Sequence, residues 1–95
     1  MVTFCVSLCN QPFNGVSLGG LLEISRRGLH FHRSMWRFPQ IDIIVNYRDI
    51  AAVYPCTHLL IIPAVEIHLV CGTTYKFQSV FERGYIVEAI QYMMR

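Results

Sequence analysis

A chain of 95 residues, 54% hydrophobic, with mean hydropathy +0.40 and a formal net charge of +2, makes one small domain, residues 1–95, around a single core. The positive excess is too small, and outside residues 26–38 too scattered, for nucleic-acid binding; the longest apolar run, Leu59 to Val65, is broken by Pro63 and far too short for a membrane span. Met1 to Cys9 lack the basic start and long apolar stretch of a secretory signal, so a cytoplasmic setting is expected.

Residues 2–9 alternate, with Val2, Phe4, Val6 and Leu8 on one face and Thr3, Cys5, Ser7 and Cys9 on the other, which predicts a half-buried strand. A loop with Pro12, Asn14 and Gly15 runs to Gly19-Gly20. Leu22 and Ile24 then face the core, and Arg26-Arg27-Gly28 turns the chain into a hairpin whose return strand points Leu29 and Phe31 inward. That leaves His30 and His32 outside, beside Arg33, with Ser34 to Pro39 as a connecting loop. Ile41, Ile43 and Val45 make the next strand, Asn46 to Asp49 a turn, and Ile50 to Tyr54 a further strand that Pro55 ends. Leu59, Leu60, Ile61 and Ile62 either continue a strand into the core or, if exposed, form an apolar patch.

From Val65 the alternation resumes, with Val65, Ile67, Leu69 and Cys71 on the core face and Gly72-Thr73 as the turn into Thr74 to Gln78. Phe81, Tyr85, Ile86, Ala89, Ile90, Met93 and Met94 then recur with a helical period. Ser79 and Glu82 are spaced as a capping box for that helix. The expectation is a mainly β domain, strands over about residues 2–78 and a C-terminal helix over about 80–94, as an antiparallel barrel or sandwich with the helix across an open end.

Arg26 to Phe38 hold half of the Lys and Arg, the single Trp and two of the four His, with no acid. Arginines gain Coulomb energy near lipid phosphates, and Trp and Phe favour the headgroup boundary, so Arg26, Arg27, His30, His32, Arg33, Met35, Trp36, Arg37 and Phe38 form a candidate contact for an anionic phospholipid surface. Cys5, Cys9, Cys56 and Cys71 lack zinc-site spacing with the histidines and are expected as free thiols, without metal or cofactor. Asp42, Asp49, Glu66, Glu82 and Glu88 form no paired-carboxylate pattern and no nucleophile motif is present, so no catalytic residue is expected.

Five segments in order carry a resemblance: Gly20-Leu-Leu-Glu-Ile-Ser25, Leu29-His-Phe-His32, Tyr47-Arg-Asp-Ile50, Ile62-Pro-Ala-Val-Glu-Ile67 and Tyr75-Lys-Phe-Gln-Ser-Val-Phe-Glu-Arg83. From Gly20 to about Met94 the chain resembles the GRAM domain. The resemblance implies a pleckstrin-homology-like barrel of two near-orthogonal antiparallel sheets capped by the helix, and peripheral membrane association through anionic lipids or phosphoinositides. Two departures stand out: Gly84 follows Arg83 where the family usually has Asp, and Cys56 to Ile62 is more apolar than the loop common in relatives. A second reading keeps the fold without lipid, as a protein-interaction or self-association module acting through Leu59 to Ile62 or a sheet edge, with a protein partner or a homodimer.

Overall fold

The alternation of apolar and polar residues builds antiparallel strands, each with one face against the core. The computed structural model describes residues 1–9, 17–33 and 40–95. Its strands are β1 (Val2–Leu8), β2 (Leu18–Ser25), β3 (Gly28–Arg33), β4 (Ile41–Val45), β5 (Ile50–His58), β6 (Ile62–Leu69) and β7 (Thr74–Gln78), followed by helix α1 (Arg83–Met93). A single 3-10 turn at Tyr47–Asp49 links β4 to β5. The strands pair antiparallel in the order β4-β3-β2-β1-β7-β6-β5, a curled half-barrel. The protein is therefore mainly β, with one C-terminal helix.

Phe4, Val6, Leu8, Leu22, Ile24, Leu29 and Phe31 are buried on one face of β1–β3, as the alternation requires. Val2, expected with them, is exposed at the strand start. Val53, Val65, Ile67 and Phe77 close the core from β5–β7, and Ile86, Val87 and Ile90 enter it from α1. Among the described residues sixteen buried Val, Leu, Ile and Phe side chains, at about 1.5–3 kcal/mol each, are the main term holding the sheet in its curl.

The hairpin of β2 and β3 turns on two residues, Arg26 and Arg27, between the paired Ser25 and Gly28. Gly28 has φ +144°, and a Cβ there would lie 2.3 Å from the Val45 carbonyl oxygen. Only glycine lets β4 approach this closely. Tyr47 fastens the neighbouring 3-10 turn to the same place, its hydroxyl donating to the carbonyls of Ser25 and, at 3.3 Å, Gly28. Burial pushes the Tyr47 phenol above its ordinary pKa.

Several expectations are corrected. Pro55 does not end its strand: β5 continues to His58, with Pro55 opposite Val65. An edge strand tolerates proline where the missing N–H faces the open side, and β5 is the last strand of the sheet. Cys71 leaves the core face, because β6 ends at Leu69 and Cys71 is exposed in the following turn. The capping box does not form. Helix α1 starts at Arg83 with Glu82 as N-cap and no side-chain cap, while Ser79 is buried and its N–H donates to the Pro63 carbonyl at 3.0 Å.

The helix face is also turned from the expected one. Phe81 precedes the helix and is 91% exposed; Tyr85 is exposed and Val87 is buried. These two flank Ile86 at about 100° to either side, and the sheet covers the Val87 side. Ala89 and Met93 do pack against the core, whereas Met94 is exposed at the helix end.

Candidate functional site

Antiparallel geometry divides the predicted basic–aromatic segment. Arg26 and Arg27 are exposed on the turn at one end of β3, while Arg33 ends that strand about 17 Å away, where its guanidinium lies 3.5 Å from the Gly19 carbonyl. Met35, Trp36, Arg37 and Phe38, together with the loop of Pro12, Asn14 and Gly15, lie outside the described residues. The sequence window therefore groups Arg26 and Arg27 with Arg33, which the fold places at the opposite end of the hairpin.

Between those ends, His30 and His32 do face outward, but carboxylates meet them. Glu23 of β2 is opposite His30, and Asp42 of β4 is opposite His32. His30 Nε2 lies 2.7 Å from Asp42 Oδ1 and His30 Nδ1 is 3.8 Å from Glu23 Oε2; His32 Nε2 is 3.3 Å from Glu23 Oε1. The two rings are 5.0 Å apart. The hydrogen bond from His30 holds the Asp42 carboxyl below the usual carboxylate range, helped by one from Gln40 at 3.0 Å. This face is a mixed-charge network, since the acids on neighbouring strands supply the charge that residues 26–38 lack.

Cationic character is concentrated instead at the turn. Among the described residues neither Arg26 nor Arg27 forms a salt bridge. Both line a depression of about 600 Å³ together with Glu23, Leu29, His30 and Ile44, whose side chain is 73% exposed. Arg48, which sequence reasoning left unassigned, is exposed at the same end of the sheet because Tyr47 ties its turn to Ser25 and Gly28. Its place depends on a tertiary hydrogen bond, which no local pattern announces.

A second surface lies at the far end of β5, about 26 Å along the strand from Ile50. Leu59, Leu60 and Ile61 form the β5–β6 turn and are 72%, 91% and 80% exposed, so the core-strand alternative for them is overturned. Ile62 begins β6 and is half-buried. Leu59 and Leu60 have φ +53° and +69°, and the Ile61 N–H donates to the His58 carbonyl at 3.3 Å. Two successive positive φ values are the pattern that favours Asn-Gly; each leucine there costs about 1–2 kcal/mol. The bond from Ser79 N–H to Pro63 O brings the β7–α1 turn to the same end, with Val80 54% exposed and Phe81 beside it in sequence. Arg83 Nη1 donates to the Cys56 carbonyl at 2.8 Å, behind the turn.

Among the described residues no group of three or more His, Cys, Asp or Glu side chains is placed to hold a metal, and no helix is long and apolar enough to cross a membrane. The arrangement places the exposed guanidinium groups of Arg26, Arg27 and Arg48 at one end and the exposed apolar side chains of Leu59, Leu60 and Ile61 at the other.

This sheet with its terminal helix defines a mainly β class of protein. No family model and no curated protein matches the chain. The fold is similar to a crystal structure of the C-terminal domain of an unknown protein from Leishmania infantum, with TM-score 0.78 over 99% of this chain and 82% of that chain at 15% identity.

Proposed function

We propose that this protein is a non-catalytic, pleckstrin-homology-like module of the GRAM type that docks peripherally on cytoplasmic membrane surfaces by binding anionic phospholipid or phosphoinositide headgroups. Strand order supports the fold reading. Among the described residues the β1–β4 meander and the β5–β7 meander join through Ser7 opposite Gln78, Leu8 opposite Phe77 and the Cys9 N–H donating to the Lys76 carbonyl at 2.8 Å, a narrow seam that lets two layers turn across each other with α1 covering one end.

The observation that carries the functional reading is the pair of exposed arginines on the Arg26-Arg27 turn, beside a depression large enough to receive a phosphorylated headgroup. Each arginine near an anionic surface contributes about 1 kcal/mol, and Ile44 adds apolar contact at the rim. Binding on this scale is weak, reversible and screened by salt. Arg33 lies at the other end of the hairpin, as a separate contact; Met35, Trp36, Arg37 and Phe38 lie outside the described residues.

Co-sedimentation with vesicles of neutral lipid, phosphatidylserine or single phosphoinositides, at low and physiological salt, tests the reading. Salt-sensitive binding to anionic vesicles is expected, reduced at least tenfold in Arg26→Glu/Arg27→Glu. Equal binding by that variant removes the arginines from the mechanism. Absence of anionic binding favours the competing reading, a protein partner or second copy adding a strand along the outer edge of β5, which pairs with no strand among the described residues.

A further inference from the structure

The apolar end formed by the β5–β6 and β7–α1 turns has chemistry of its own. From Ile50 to Val65 the chain contains no Asp, Glu, Lys or Arg. At the end of that stretch Leu59, Leu60 and Ile61 are all exposed, and Val80 and Phe81 leave β7 at the same end, where Ser79 is bonded to Pro63. Glu82 is the one carboxylate on either turn and is half-buried.

We infer that these two turns form an insertion tip that enters the acyl boundary of a phospholipid bilayer, independently of the arginine pair. Three features select a bilayer over a protein groove or a second copy. Consecutive side chains on a turn project in different directions, so one rigid partner surface covers only part of them, whereas fluid hydrocarbon surrounds a convex tip on every side. No charge must be desolvated as Leu59 to Ile61 enter. The Arg83 guanidinium, held on the Cys56 carbonyl, sits three residues behind Leu59, about 10 Å along the strand, which is the depth separating inserted apolar side chains from headgroup phosphates. The positive φ at Leu59 and Leu60 adds a fourth point: leucines occupy positions where Asn-Gly suits the turn better, and strain of that kind gathers at functional sites.

Insertion of this sort needs no anionic lipid. The full chain is therefore expected to bind vesicles of phosphatidylcholine alone, and raising the salt is expected to leave that binding unchanged. Leu60→Asp/Ile61→Asp should weaken it at least tenfold. Leu59→Asn/Leu60→Gly should weaken it similarly while giving the turn residues it prefers, so loss in this variant is not a loss of folding. Arg26→Glu/Arg27→Glu should bind phosphatidylcholine as the parent does, which separates failure of this proposal from failure of the arginine reading. The proposal is overturned if the parent does not sediment with phosphatidylcholine, or if both tip variants bind unchanged. It is equally overturned if sedimentation velocity shows a dimer that Leu60→Asp abolishes and that vesicles do not compete with; the occupant is then a second copy.

Discussion

Cys56 and Cys71 carry the same thiol into opposite settings. Cys56 is half-buried on β5, where desolvation, with the Glu66 carboxylate adding to it, pushes its pKa up. Cys71 is exposed in the β6–β7 turn, 3.4 Å from the Thr73 hydroxyl, whose hydrogen bond lowers its pKa. Because the thiolate is the reactive form, iodoacetamide at neutral pH is expected to alkylate Cys71 at least tenfold faster than Cys56, and mass mapping of the time course checks this. A Cys71→Ser variant should lose that fast site and keep its fold. The sequence alternation assigned Cys71 to the core because the pattern of β6 continues by eye to residue 71; a turn that begins one step earlier reverses its exposure. Phe4, Leu22 and Phe31 were legible by the same period-two argument, since each lies within its strand, away from the ends.

At the level of elements, the β2–β3 and β5–β6 hairpins follow opposite rules. The β2–β3 hairpin has the glycine its geometry demands, and Gly28→Ala must bring a methyl group against the Val45 carbonyl at positive φ. That variant is expected to lose about 1–3 kcal/mol of stability in urea unfolding, a loss that an added exposed methyl elsewhere would not produce. The β5–β6 hairpin has no such residue, which is why Leu59 to Ile62 read first as a strand continuing into the core and only second as an exposed patch. Replacing Leu59 and Leu60 by Asn and Gly is expected to raise stability by about 1–2 kcal/mol, seen as a higher urea midpoint with an unchanged slope. Pro55 misled for a related reason: proline ends a central strand, but nothing local states that β5 is an edge.

For the molecule as a whole, the strand count, the terminal helix and most of the core follow from periodicity. The pairing of β1 with β7 and the separation of the two ends do not. Those depend on register between distant strands, and so do the carboxylates that meet His30 and His32. The basic segment therefore looked stronger in sequence than the fold makes it, while the apolar end looked weaker, because Val80 and Phe81 reach the end of Leu59 to Ile61 through tertiary contacts, the β6–β7 pairing and the Ser79–Pro63 bond. The two proposed membrane contacts lie at opposite ends of β5, so a flat bilayer engages one at a time, and salt selects which.

The leucine turn also bears on the order in which the chain assembles. A hairpin nucleates quickly when its turn residues already favour positive φ, and Leu59-Leu60 favour the reverse, so β5 and β6 gain little from local contact. The β2–β3 hairpin, with a two-residue turn and Gly28, starts from a better position. The meander around β2–β3 is thus expected to form first, with β5 and β6 zipping together late, once β7 offers β6 an edge to pair with. The Asn-Gly replacement at residues 59 and 60 should then slow unfolding and leave the refolding rate nearly unchanged in stopped-flow experiments. A matching rise in the refolding rate would place this turn in the folding nucleus instead.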